Sequence, residues 1–272
     1  MIKSKKLTAF IPLLLVRFSK SLQTVLYMTF IKYISTLISL LTLFYSFSLH
    51  ANFEEQDKRK FEDTRKEALN HNAQAQYQLA EIYSMGTGVE KNLLNAQLWA
   101  NEAIKNDYAD AYALLADIYL FNADPYFKNN YIEAKKLATL AVNKGSIRGK
   151  ISLATALIAP LSGETDHKKA IVLLEEVAAI HQPELVYAPI WLGLIYSGVG
   201  NVPVDTEKAN LWFAKANEMT FEGFAQAMAS FMFSGQYHII EPNKQKADEL
   251  MKQACEEAKK VGNEFYCQPT FN

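Results

Sequence analysis

The chain has 272 residues, half of them hydrophobic, with 28 basic and 29 acidic side chains and a net charge of −1. That length admits one or two domains. Charge is unevenly placed: residues 1–51 hold six basic side chains and no acidic one, so the remainder carries 22 against 29, net −7. An acidic remainder without a basic stripe excludes nucleic acid as the expected partner and argues against adhesion to anionic lipid.

In chain order, the first predicted element is a leader over residues 1–51. It carries Lys3, Lys5, Lys6, Arg17, Lys20 and Lys32, then an uncharged stretch from Tyr33 to Leu49 and a small residue, Ala51. A basic flank, an apolar stretch and a terminal small residue make a secretory signal. Met28 has the context of a normal start for such a signal. The alternative is an uncleaved membrane anchor, although Arg17, Lys20 and Lys32 leave no uninterrupted apolar span of about 20 residues. Residues 52–72 are expected to form a capping helix.

From there a small residue recurs: Ala80, Ala116, Ala154, Gly193 and Ala229. A second series keeps step with it: Ala96, Ala134, Ala170, Ala209 and Ala247. Two series in phase predict one supersecondary unit copied five times, each made of two helices of roughly 13 residues. On the first helix, Leu79, Leu115, Leu153, Leu192 and Met228 precede the small residue. Tyr83, Tyr119, Leu157, Tyr196 and Met232 follow three positions after it. This i, i+4 pairing predicts a buried stripe. The second helix is announced by Asn92, Asn130, Asp166, Asp205 and Asn243, residue types that cap helix starts. Behind them come Trp99, Leu137, Leu173, Trp212 and Leu250, then Ala103, Ala141, Val177, Ala216 and Ala254, on one helix face. Between the helices, Gly86-Thr87-Gly88-Val89 and the glycines Gly198 and Gly200 read as helix-ending turns. They follow helices rather than strands, so they are not nucleotide loops. The second unit has Asn122–Asn130 with Pro125 there, and the third ends its first helix at Ala159-Pro160.

The segments from Leu79 to Ala103 and from Leu192 to Ala216 resemble the Sel-one-like repeat, a relative of the tetratricopeptide repeat. They share its Leu-Gly/Ala, Tyr, Gly-x-Gly-Val turn, Asp- or Asn-led second helix, Trp and closing Ala. The resemblance covers about residues 68–258. It implies an all-α, right-handed α/α superhelical solenoid of about five helix-turn-helix repeats, here residues 73–258. It also implies adaptor roles in envelope complexes, signalling, or contact between bacteria and host cells. Some cysteine-rich relatives are linked to beta-lactam binding, but this chain lacks their repeated cysteines.

The last 14 residues, 259–272, form a tail expected to cap the array. Cys255 and Cys267 are the two cysteines. In an exported protein an even pair twelve positions apart reads as a disulfide; two free thiols are the alternative. Phe265, Tyr266 and Phe271 are expected to cover the open face of the fifth unit. The five histidines, His50, His71, His167, His181 and His238, make no metal-binding pair, and no nucleophile motif occurs. No catalytic residue, metal or cofactor is expected. Glu175-Glu176 and Glu256-Glu257 read as solvated helix faces.

The first helices should line the inner surface of the superhelix. Positions −6, −3, +1 and +4 from the small residue share a face apart from the Leu/Tyr stripe. Along it, Tyr77, Glu81, Asp110, Asp117, Arg148, Ile151, Tyr187 and Leu194 are the candidate partner-binding residues, acidic at one end and apolar at the other. The function read from these features is an exported, non-catalytic scaffold, periplasmic or secreted, that binds a protein or peptide as a monomer. A membrane-tethered adaptor and a cell-wall-directed or beta-lactam-binding enzyme are the alternatives. The bland reading of the row is a partly buried contact between helices.

Overall fold

An Asn or Asp side chain opens each of the five second helices. In the computed structural model, which describes residues 55–121, 130–159, 165–235 and 240–267, Asn92, Asn130, Asp166, Asp205 and Asn243 each accept a hydrogen bond from the backbone N–H three residues on. Each thereby satisfies a donor that a helix start leaves free. Four of them also donate. The backbone N–H groups of Asn92, Asp166, Asp205 and Asn243 bond the carbonyls of Tyr83, Leu157, Tyr196 and Phe233 at 2.8–3.1 Å. One residue therefore starts the second helix and pins it to the last turn of the first. Spacing alone gave the first of these roles and not the second.

Two compact units are distinguished, residues 1–59 and residues 60–272. Of the first, residues 55–59 are described, and they are helical. The expected leader lies outside the described residues. The second unit opens with helical residues 60–69, α1. Five hairpins follow: α2 (Ala73–Met85) with α3 (Leu93–Lys105), α4 (Ala109–Phe121) with α5 (Tyr131–Asn143), α6 (Ile147–Ile158) with α7 (His167–Ala178), α8 (Tyr187–Tyr196) with α9 (Thr206–Met219), and α10 (Phe224–Phe233) with α11 (Lys244–Lys260). Among the described residues there is no strand. Every second helix packs on its own first helix, and α3, α5, α7 and α9 also pack on the first helix of the next hairpin. First helices also touch in order, α2 on α4, α4 on α6, α6 on α8 and α8 on α10. This is the expected solenoid: successive hairpins share a continuous core instead of converging on one centre.

Both small-residue series lie in that core. Ala80, Ala116, Ala154, Ala229, Ala96, Ala134 and Ala170 are fully enclosed, and Ala209 and Ala247 nearly so. The fourth unit shows why size matters at this place. A Cβ built on Gly193 would lie 2.3–2.8 Å from three ring carbons of Phe213 on α9, closer than real contacts allow. In the other units the residue four places after the second-series Ala is Ala100, Ala138, Leu174 or Met251. Only the fourth unit sets a phenylalanine there, and only the fourth has glycine in the first series. Gly86 and Gly198 end α2 and α8 with φ of 83° and 104°, the left-handed region that stops a helix. The second unit's turn, with Pro125, lies outside the described residues.

At the amino end of the array, Gln76, buried on α2, donates to the Ala68 carbonyl of α1 and accepts from Asn106. Phe61 meets Tyr83 edge-on. At the other end Cys255 and Cys267 are bonded to each other, their Cα atoms 4.8 Å apart. The aromatic cap differs from expectation. Tyr266 stacks on Phe221, in the connection between α9 and α10, with ring planes 7° apart. Phe265 is 75% exposed, and Phe271 lies outside the described residues. The disulfide sets Tyr266 beside that connection, where a Cβ added at Gly223 would lie 2.4 Å from the Ala254 carbonyl oxygen. A short 3-10 turn, Pro183–Leu185, stands between α7 and α8 and was not foreseen.

Candidate partner-binding groove

Arg148 shows which surface is concave. Its guanidinium, on α6, donates to Glu81 Oε1 on α2 at 2.8 Å and lies over the Tyr77 ring, 5.9 Å from its centroid. That contact passes over the whole second hairpin. Phe121 on α4 likewise meets Trp191 on α8, ring centroids 6.4 Å apart, passing over the third. Side chains from alternate repeats thus meet on the face made by the first helices.

Around Arg148 the polar residues form one cluster. The Tyr77 hydroxyl donates to Glu81 at 2.5 Å. Ser146, which caps α6, donates to Asp110. The Tyr77 and Tyr108 rings lie 5.0 Å apart. Burial raises the Tyr77 hydroxyl far above its ordinary pKa, with Arg148 pulling it down and Glu81 pushing it up. Burial also pushes the Asp117 carboxyl up to about 6; the Ser152 hydroxyl and Arg148 draw it back, and Glu81 adds to the rise. Asp117 is thus a carboxylate that sits half out of water without having lost its charge at neutral pH.

Below this cluster a pocket of about 270 Å³ opens between α4, α6, α8 and α10. Asp117, Arg148, Ile151, Tyr187 and Leu194 from the expected row line it, together with Phe121, Glu184, Trp191, Met228 and Met232. Asp117 and Phe121 also line a second concavity, toward Ser84 and Lys91. Arg148 also lines a third, with Tyr108, Asp110 and Gln182. The first hollow shares Asp117 and Phe121 with the second and Arg148 with the third, so the three lie in a row on the side of the first helices.

The expected row is only partly open. Glu81, Asp110, Asp117, Arg148 and Ile151 are half-buried and reach the groove. Tyr187 is 47% exposed. Tyr77, at 5%, lies beneath Arg148 as part of the wall, and Leu194 has no exposed surface. Leu120, Ile158, Thr155 and Ile190 of the same row are buried as well, because the contacts between first helices run through it. The supposed separation of this row from the core stripe therefore fails: Tyr83, Tyr119 and Tyr196 of the stripe are more open than Tyr77. Met228 and Met232, at the stripe positions of the fifth unit, also face the pocket. Their sequence signal was the change from Leu and Tyr to methionine in the fifth unit.

Comparison with known proteins decides the family. The Sel1 repeat pattern matches residues 73–108, 109–146, 188–221 and 224–258, and the Sel1-repeat-containing protein YjcO of Escherichia coli K12 is 34% identical over 228 residues, 83% of this chain and 95% of that protein. This chain belongs to the Sel1-repeat family. A putative Sel1 repeat protein from Klebsiella pneumoniae has a crystal structure that superposes with a TM-score of 0.66 at 33% identity, over 74% of this chain and 95% of that one. A Sel1 repeat protein from Oxalobacter formigenes shares the fold, with a TM-score of 0.50 at 21% identity over 72% and 76%. The four matched Sel1 repeats leave out the third hairpin, α6 and α7. It still packs in line with its neighbours, its small residues Ala154 and Ala170 fully enclosed. Sel1-repeat proteins are in general non-catalytic scaffolds for protein interaction. Among the described residues no cluster of His, Cys, Asp or Glu could hold a metal ion, and no helix is long and apolar enough to cross a membrane.

Proposed function

We propose that this chain is an exported scaffold that binds an extended segment of a protein partner along the groove of its first helices. The observation that carries the reading is the row of three concavities, the middle one sharing Asp117 and Phe121 with one neighbour and Arg148 with the other, which offers a peptide main chain a path across several repeats. The ties over alternate hairpins hold that path in shape before any partner arrives, and a preformed surface spares ordering cost on binding. Tyr187, exposed at its margin, is of a type common at binding hot spots.

Crosslinking in the native cell followed by mass spectrometry should recover a defined partner with the wild-type chain. Asp110→Lys/Asp117→Lys, which reverses the charge at the centre of the groove, should lose that partner by tenfold or more. An unchanged partner set overturns the groove. The export reading draws on the bonded cysteine pair, since such bonds persist in oxidising compartments, and on the leader composition. Sequencing of the mature amino terminus tests it: a form beginning near Phe53 supports export with cleavage, and an intact 1–51 segment overturns cleavage.

A further inference from the structure

The pocket behind Asp117 and Arg148 combines two chemistries that no single repeat supplies. Its volume, about 270 Å³, suits one or two bulky side chains, and its deep walls are apolar: Phe121, Ile190, Trp191 and the methionines Met228 and Met232. Methionine walls adapt to apolar guests of different shape. Its mouth is acidic. Asp117 and Glu184 line it with Arg148, whose hydrogen bond and ion pair go to Glu81 and whose charge also acts on Asp117, so the lining keeps a net negative charge. Asp110 adds a further carboxylate in the adjoining hollow. A carboxylate kept partly from water gains more from an incoming cation than a fully hydrated one does.

We infer that the groove selects a partner segment in which a Lys or Arg stands within two positions of a bulky apolar residue, the apolar side chain filling the pocket and the cation meeting Asp117 and Glu184. Two positions span about 7 Å of extended chain, within the reach of a long basic side chain from the pocket to its mouth. The two adjoining hollows, one sharing Arg148 and the other Asp117 and Phe121 with the pocket, favour a peptide over a small free amine, because they leave room for main chain beyond the anchor. This inference rests on the groove being a binding surface, as argued above, and adds the chemistry of what it takes.

The test is selection of random twelve-residue peptides, displayed on phage, on the immobilised full chain at pH 8. The expected result is enrichment, several-fold over the input library, of peptides pairing Lys or Arg with Phe, Trp, Leu or Met at that spacing. Asp117→Asn should keep the apolar preference and lose most of the basic one. Glu184→Gln, at an exposed position where folding is not at stake, should weaken the basic preference. Ile151→Glu, on the pocket wall, should lose the apolar preference. Selection at pH 5 should weaken the basic preference for wild type. Asp117 takes up a proton below about 6, while Glu81, Asp110 and Glu184, with Arg148 and Ser152, complete the charged and polar surroundings. Apolar enrichment with no basic preference, or a basic preference that neither Asp117→Asn nor Glu184→Gln reduces, overturns this inference and leaves the groove standing. No enrichment by wild type over Ile151→Glu overturns the groove reading itself.

Discussion

Gly193→Ala should lower the stability of the protein by about 2 kcal/mol, against the usual direction for a helical glycine. Alanine is the better helix former by about 1 kcal/mol. The added methyl, however, would stand 2.3–2.8 Å from ring carbons of Phe213. Phe213 is 1% exposed, so its ring has nowhere to go, and overpacking of a filled core costs about 1–3 kcal/mol. A contact this short belongs at or beyond the top of that range, so the clash wins. Phe213→Leu in the same chain should restore most of the loss, since the third unit already combines alanine in the first series with Leu174 at the matching place on α7. Urea unfolding of the two single variants and the double would give a coupling energy of 1 kcal/mol or more. A Gly193→Ala protein as stable as wild type would remove the packing account of the first small-residue series.

Loss of the Cys255–Cys267 bond should have the other large effect, and its location matters more than its size. The bond closes a twelve-residue separation, which corresponds to about 3 kcal/mol in the chain-entropy account of disulfides. In a solenoid each hairpin is held mainly by its neighbours, and among the described residues no hairpin follows the fifth. The loss should therefore appear in α10, α11 and the connection under Tyr266, leaving the earlier hairpins unaffected. Hydrogen exchange on Cys255→Ser/Cys267→Ser should show protection falling by roughly a hundredfold in α11 and little in α2–α5. Uniform loss along the whole array would contradict this, and unchanged protection in α11 would make the bond idle.

The repeat was legible because the same physical demand recurs at the same place. Where two helix backbones approach, only a small residue fits, and where a helix begins in a turn, Asn or Asp satisfies its free donors. Ten small residues and five caps spell out those demands in one dimension. The groove was less legible because its parts come from different copies. Tyr77 and Tyr187 stand on one expected row, three and six places before the small residue of their units, yet Tyr77 lies under Arg148 and beside Tyr108 while Tyr187 is half-exposed at the start of α8. Spacing within one unit cannot report what another unit, 67 residues away in the case of Glu81 and Arg148, lays across it. Phe121 and Trp191 meet for the same reason, and Glu184 reaches the pocket mouth through a 3-10 turn that the repeat pattern does not contain. The shift from Leu and Tyr to Met228 and Met232 was visible in the sequence, but its meaning depended on knowing that the fifth first helix closes one end of the pocket.

The reach of Arg148 to Glu81, and of Phe121 to Trp191, gives the array next-nearest-neighbour coupling. A string of hairpins tied only to adjacent links can melt one link at a time from either end. Straps that skip a link bind the first four into a stiffer arch, so peeling away an outer hairpin on that side must also undo a bond anchored two hairpins inward. Loss of an outer hairpin on that side should therefore be felt two hairpins away and not only at its neighbour.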